Sequence, residues 1–294
     1  MAASPDILCI GSVLWDIIGR CEKPMRQGSD MPGRIIRIPG GVALNIAMAL
    51  ARFGLSPALL SAVGRDAQGD ELIAACQTRG LITDHLYRSE DLPTDCYMAV
   101  EGANGLIAAI ADAHSLEAAG EKVLAPLSSG ALPEPFTGAV ALDGNLTLGL
   151  LDKIARSPLL AQADLRIAPA SPGKAQRLLP FMQAGRGTLY VNLEEAALLT
   201  QSSPSSSAEA AAALLARGAV RVIVTDGGRA ATAADAKGSV SMTPPQVLVT
   251  RVTGAGDTFM AAHIAAELGG AAPQDALRQA LEMAALYVSG ETRI

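Results

Sequence analysis

The segment richest in chemistry is Thr253-Gly254-Ala255-Gly256-Asp257, followed at once by the apolar run Thr258-Phe259-Met260-Ala261-Ala262. Small residues let a backbone approach a ligand closely, and the exposed N–H groups at a helix start attract an anion, so a phosphate site follows. A carboxylate beside a bound phosphate repels it, so Asp257 needs a task of its own. Accepting the proton of an attacking hydroxyl during phosphoryl transfer is such a task. The plain alternative is a turn with an aspartate N-cap.

Four further groups carry weaker signals. In Pro39-Gly40-Gly41-Val42-Ala43-Leu44-Asn45, the two glycines admit a ligand against the backbone. Asn45, one turn into a helix, can both donate and accept, which suits a polyhydroxyl ligand. An ordinary strand-to-helix turn reads the same way. Asp16, between Trp15 and Ile17, falls in what reads as a buried first strand, where an unpaired carboxylate is costly. It either holds two sugar hydroxyls or meets a buried cation. Asn192-Leu193-Glu194-Glu195 lies where a strand becomes a helix, at the carboxyl edge where open α/β sheets bind ligands. Asn192 and Glu195 could order water around Mg²⁺, or simply cap the helix with Glu195 at the third position. Thr225-Asp226-Gly227-Gly228 ends a strand and reads either as a turn beneath a nucleotide or as a plain hairpin. His263 reads as packed in the helix after the glycine turn, and His85 and His114 as exposed.

The elements that must position these groups alternate. Strands are expected over Ile7–Ile18 with a Gly-Ser break, and over Pro57–Val63, Val140–Asp143, Leu165–Ala168, Leu189–Asn192 and Val220–Thr225. Helices are expected over Val42–Phe53, Asp70–Arg79, Pro158–Ala163, Lys174–Met182, from Glu194, Thr258–Leu268 and Ala276–Ser289. This rhythm predicts a doubly wound, mostly parallel α/β sheet. Residues 19–38 and 95–112 break it and read as a small antiparallel sheet. Ser202–Ser207 is a low-complexity loop, and there is no internal repeat.

Composition narrows the classes. Of 294 residues, 50% are apolar and 18% charged, enough to fill a large core. A net charge of −6 offers no field for a nucleic-acid backbone. Cys9, Cys21, Cys76 and Cys96 form no CxxC pair or metal-ligand cluster, which suggests a reduced, cytoplasmic chain. The N-terminus lacks the positive and apolar regions of a signal peptide, and no apolar run is long enough to span a membrane.

In this order the motifs resemble the ribokinase-like (PfkB-type) carbohydrate kinase family. They are Gly11-Ser12 with Asp16, Gly40-Gly41 with Asn45, Ala62-Val63-Gly64-Arg65-Asp66 with Gly69, Asn192 with Glu195, Thr225 with Gly227, and Gly254-Ala255-Gly256-Asp257. The resemblance implies one α/β domain over 1–294 with a β lid from 19–38 and 95–112 that closes over a sugar. It implies ATP and Mg²⁺, Asp257 as the base, the 254–257 amides as an anion hole, and Asn192 with Glu195 organising metal and water. Pro93–Val100 and Ile107–Asp112 are similar to the matching stretch of pseudouridine kinases, which implies the 5′-hydroxyl of a C-glycosidic nucleoside as acceptor. Kinases of free sugars or other nucleosides share much of the pattern, and a sensor without turnover is a further alternative. The exposed edge of a small sheet suggests a lid-mediated homodimer.

Two departures stand out. Arg251 takes the place of an acidic residue that in relatives helps bind an activating monovalent cation, so that cation is in doubt and the guanidinium is expected to supply its charge. Ala168 stands where relatives often place Asp or Asn, so a polar contact near the phosphates is expected to be missing.

Overall fold

A computed structural model describes residues 5–291. In chain order the elements are β1 (Ile7–Ile10), β2 (Leu14–Arg20), β3 (Arg34–Gly40), α1 (Val42–Arg52), β4 (Pro57–Leu60), β5 (Ala62–Gly64), α2 (Ala67–Gln77), β6 (Tyr87–Ser89), β7 (Cys96–Gly102), β8 (Gly105–Asp112) and α3 (His114–Ala119). There follow β9 (Ala139–Asp143), α4 (Leu148–Arg156), β10 (Asp164–Ala168), α5 (Leu179–Ala184), β11 (Thr188–Asn192), α6 (Leu193–Thr200), α7 (Ser207–Ala216), β12 (Arg221–Thr225), β13 (Ala231–Asp235), β14 (Gly238–Met242), α8 (Ala255–Leu268) and α9 (Pro273–Ser289).

The main sheet runs β14-β13-β12-β11-β10-β9-β1-β4; it is parallel from β12 to β4, with an antiparallel hairpin, β13 and β14, at one edge. Helices cover both faces, and the side-chain alternation of a strand divides the core between them. Leu8 and Ile10 of β1 enter the core beneath α4, α5 and α7, whereas Ile7 and Cys9 enter the core beneath α1, α8 and α9. The strand order reverses between β1 and β9, which opens a crevice at their carboxyl ends.

The second sheet has the order β3-β2-β7-β8. It differs from the sequence expectation in two ways. The chain leaves the main sheet after only four residues, and the Leu14–Ile18 stretch read as part of the first strand belongs to β2 of the small sheet. Gly11 makes the break, at a φ of 152° with no room for a Cβ, which would sit 2.4 Å from the Asp143 carboxyl. The sheet is also not purely antiparallel, because β2 and β7 pair in parallel. Two expected helices shrink: Pro158–Leu160 is one 3₁₀ turn, and Lys174–Met182 is a 3₁₀ stretch, Pro172–Leu178, running into α5. Proline at the start and within these segments removes donors that a longer α-helix would need.

Candidate active site

The carboxyl ends of β1, β9, β10, β11 and β12, the first turns of α1 and α8, and one face of the small sheet enclose a cavity of about 1190 Å³. That is larger than the roughly 300–1,000 Å³ of a site for one small ligand. Of the residues singled out in the sequence, Asp16, Gly41, Asn45, Asn192, Glu195, Thr225, Gly227, Gly254, Ala255, Gly256 and Asp257 line it together. Gly40 stands just behind: a Cβ there would fall 2.1 Å from an Asp16 carboxylate oxygen. Tyr97 and Ala111, in register with Asp16 across β7 and β8, face the cavity beside it.

Gly254, in the left-handed region at φ 86°, is the N-cap of α8, so Asp257 is a first-turn residue and not the cap. The Ala255 amide donates to the Val252 carbonyl at 3.0 Å. The amides of Gly254, Gly256 and Asp257 have no partner among the described residues, so three donors are available where the motif suggested four. Asn45 Nδ2 donates to Asp257 Oδ2 at 2.9 Å, which joins the first turns of α1 and α8. Burial pushes the Asp257 carboxyl up to about 7, against the Asn45 hydrogen bond, with Asp143, Asp16 and Glu195 adding to the rise. Burial likewise raises Asp16 to about 6, and its carboxylate has no hydrogen-bond partner among the described residues.

Asp143, closing β9, organises the reversal point. Its Oδ2 accepts from Ser12 N and Ser12 Oγ at 2.8 Å each and from Ala43 N at 2.9 Å, while Oδ1 accepts from Asn145 N at 2.7 Å. The Ser12 hydroxyl also accepts from Val42 N at 2.8 Å and Asn145 Nδ2 at 2.9 Å. Gly41 is obligatory here, at φ 96° with a would-be Cβ 2.5 Å from the Ser12 carbonyl oxygen. Sequence reasoning missed Asp143, Asn145 and Lys174, whose ammonium donates to Asn145 Oδ1. An aspartate at a strand end signals only a turn, and its partners lie 100 and 131 residues away.

On the β11–β12 side the polar groups are satisfied locally. Asn192 and Glu195 form a reciprocal capping box, with Glu195 N donating to Asn192 Oδ1 at 2.9 Å and Asn192 N to Glu195 Oε2 at 2.8 Å. Capping was the simpler of the two readings, yet both residues also face the cavity, and Glu195 Oε1 has no hydrogen-bond partner among the described residues. Burial raises the Glu195 carboxyl above its ordinary value. Thr225 ends β12 beside Gly227, at φ 56° and open on its Cβ side. Ala168, the last residue of β10, lines the cavity. Beneath this side, Tyr190 OH meets His263 Nδ1 at 2.9 Å, and Arg166 and Arg221 pair with Glu267, so α8 is tied to β10, β11 and β12. His263 is fully buried, and burial holds its pKa down to about 4, so the ring is neutral.

Arg251 stands outside the cavity lining. Its Nε donates to the Tyr287 carbonyl at 2.7 Å and its guanidinium lies 3.8 Å over the Tyr287 ring, while Tyr287 OH donates to the Thr253 carbonyl at 2.7 Å. These contacts fasten the loop before α8 to the last turn of α9.

Residues 4–292 match the pfkB family carbohydrate kinase, and the chain belongs to that family. It is 28% identical over 264 residues to the pseudouridine kinase of Escherichia coli (strain K12), covering 87% of this chain and 81% of that one. Its fold is that of a carbohydrate kinase from Agrobacterium tumefaciens, at TM-score 0.82 and 24% identity over 98% of this chain and 93% of the other. It is also that of Arabidopsis thaliana ribokinase complexed with ribose and ATP, at TM-score 0.79 and 20% identity over 97% and 93%. The protein is a phosphotransferase of the sugar and nucleoside kinase class, and no helix among the described residues is long and apolar enough to cross a membrane.

Proposed function

We propose that the protein transfers the γ-phosphate of ATP to a primary hydroxyl, with the 5′-hydroxyl of pseudouridine as the acceptor. The observation that carries the reaction is Asp257 on the first turn of α8, held by Asn45 and raised to about 7, beside the unpartnered amides of Gly254 and Gly256. A base with a pKa near the working pH is efficient. Asp257 takes the hydroxyl proton as the acceptor oxygen bonds to phosphorus and the bond to the ADP oxygen breaks. The three amides face the charge on the migrating group. Asp16 and Asn45 orient the acceptor hydroxyls, and Asn192, Thr225 and Gly227 lie along the nucleotide.

Asp16, Glu195 and Asp257 converge on a cleft that must admit a polyanion, so a divalent cation has to accompany the nucleotide. No cluster of three or more acidic, His or Cys ligands occurs among the described residues. This fits Mg²⁺, which keeps several waters and binds through one or two carboxylates plus phosphate oxygens; Glu195 is the carboxylate that would hold it. When bound, it supplies charge neutralisation on the phosphates. Arg251, which stands where relatives carry an acidic cation-binding residue, is proposed to supply the charge of a monovalent cation.

The 264-residue likeness to the E. coli pseudouridine kinase and the 93–112 segment support the nucleoside acceptor. The small sheet would then act as a lid, with Asp16, Tyr97 and Ala111 on its inner face. On its outer face Ile35, Met98 and Ile110 are 78%, 47% and 69% exposed, and a second copy of this chain is the proposed cover. The test is ADP release with Mg²⁺ against pseudouridine, uridine, adenosine, ribose, fructose and ribose 5-phosphate. Highest kcat/KM on pseudouridine is expected. Turnover confined to a free sugar would remove the nucleoside, and absence of turnover on every acceptor would favour a sensor.

A further inference from the structure

Lys174 is the only lysine among the described residues lining the cavity, and the acceptor chemistry assigned above does not use it. It enters from the 3₁₀ segment after β10, half-buried, and its ammonium donates to Asn145 Oδ1. Asn145 is anchored in turn, its Nδ2 on Ser12 Oγ at 2.9 Å and its backbone N–H on Asp143 Oδ1 at 2.7 Å. The cation is therefore aimed by the same network that shapes the β1–β9 crevice. The neighbouring Arg177 is occupied by the carbonyls of Gly144, Asn145 and Leu146 and by Glu117. Lys174 has three N–H donors and no acceptor capacity, and among the described residues a single one of those donors is used.

A donor-only group complements an oxygen that only accepts. Furanose hydroxyls are matched by Asp16 and Asn45, which accept from them, whereas the carbonyls of a pyrimidine-type heterocycle need a donor. A phosphate would also attract a cation, but the remaining charged groups lining the cavity are Asp16, Glu194, Glu195, Asp226 and Asp257 against Arg229, which is paired with Asp226. That field disfavours a second anion beside the nucleotide.

We infer that Lys174, positioned by Asn145, is a specificity residue that donates to a carbonyl oxygen on the heterocycle of the acceptor. This rests on the nucleoside reading of the same cleft. The test measures kcat/KM of wild type, Lys174→Met and Lys174→Gln on pseudouridine, ribose and ribose 5-phosphate, with melting temperature and ADP binding as checks on folding. Lys174→Met should lower kcat/KM on pseudouridine about 10–100-fold, mostly through KM, the usual weight of a hydrogen bond to a charged donor. That loss should exceed the loss on ribose by about tenfold or more. Lys174→Gln, which keeps N–H donors, should recover part of it, and it carries the comparison if the Met variant fails to fold. Equal losses on pseudouridine and ribose, or none on pseudouridine, would overturn the assignment while leaving the kinase reading intact. The largest loss on ribose 5-phosphate would replace it with an anion site. A wild type inert on pseudouridine but active on ribose would overturn the nucleoside reading, and this one with it.

Discussion

On the β1–β9 side of the cleft, Asp143 alone binds donors from the Gly11-Ser12 turn, the start of α1 and its own following turn. On the β11–β12 side, Asn192 and Glu195 satisfy each other and Asp226 holds Arg229, all within three residues. The β1–β9 side, proposed for the acceptor, is thus assembled from distant segments, whereas the turns on the β11–β12 side, proposed for the nucleotide, are closed by local hydrogen bonds. Ligand selectivity belongs where the groups are fixed from several directions, and turn-like cradles suffice for a nucleotide shared by many enzymes. Carboxylates with pKa values raised by burial reach the cleft from both sides, Asp16 from β2 and Asp257 from α8, where Asn45 holds it, and Glu195 from α6.

This contrast can be broken experimentally. The largest effect is expected for Asp257→Asn, which keeps the shape and removes the base; turnover should fall by at least about 10²-fold. The same variant should be more stable than wild type at pH 8. A carboxyl raised to about 7 in the folded protein, against an ordinary value of 3.8, destabilises the fold progressively as pH rises through that interval. The gain in melting temperature should therefore grow from pH 4 to pH 7 and level off above. Gly40→Ala comes next: its methyl group would displace the Asp16 carboxylate and lower kcat/KM for the acceptor about 10–100-fold, with the KM for ATP little changed. An equal rise in both KM values would mean that the two sides are not separable.

Arg251→Met should cost about tenfold in turnover by loosening the loop before Gly254, since small misplacements of catalytic groups are expensive. In wild type, turnover should be the same in potassium as in tetramethylammonium; a steep rise with potassium would show that Arg251 does not stand in for a cation. The smallest effect is expected for Gly227→Ala. Its Cβ meets nothing within 4 Å, so the cost is that of a left-handed alanine, about 1–2 kcal/mol of local strain, seen as a few-fold rise in the KM for ATP.

The cavity lining at Asn192, Glu195 and Gly254 to Asp257 was legible in the sequence because it is local: Asn192 and Glu195 are three residues apart, and Gly254 to Asp257 are contiguous. The parallel sheet was legible from alternating periodicity. Asp16 was found as a residue but misplaced, since strand periodicity over 7–18 does not reveal that the chain changes sheets at Gly11. Asp143, Asn145 and Lys174 were invisible for the reason that makes them useful, namely that their partners are brought from other segments of the chain. The β13–β14 hairpin was also missed, because Ala231–Asp235 is rich in alanine and carries little strand signal.

The central claim is that Asp257 is the proton acceptor, and the most direct measurement is the pH dependence of kcat/KM between pH 5 and pH 9 for wild type and Asp257→Asn. This ratio reports groups of the free enzyme. Wild type should rise with pH and level off above an inflection at about 7, because the ionised carboxylate is the working form. In the variant that inflection should vanish, leaving the one at about 6 that belongs to Asp16. An inflection at about 7 that survives the substitution would assign the proton to another group and contradict the account.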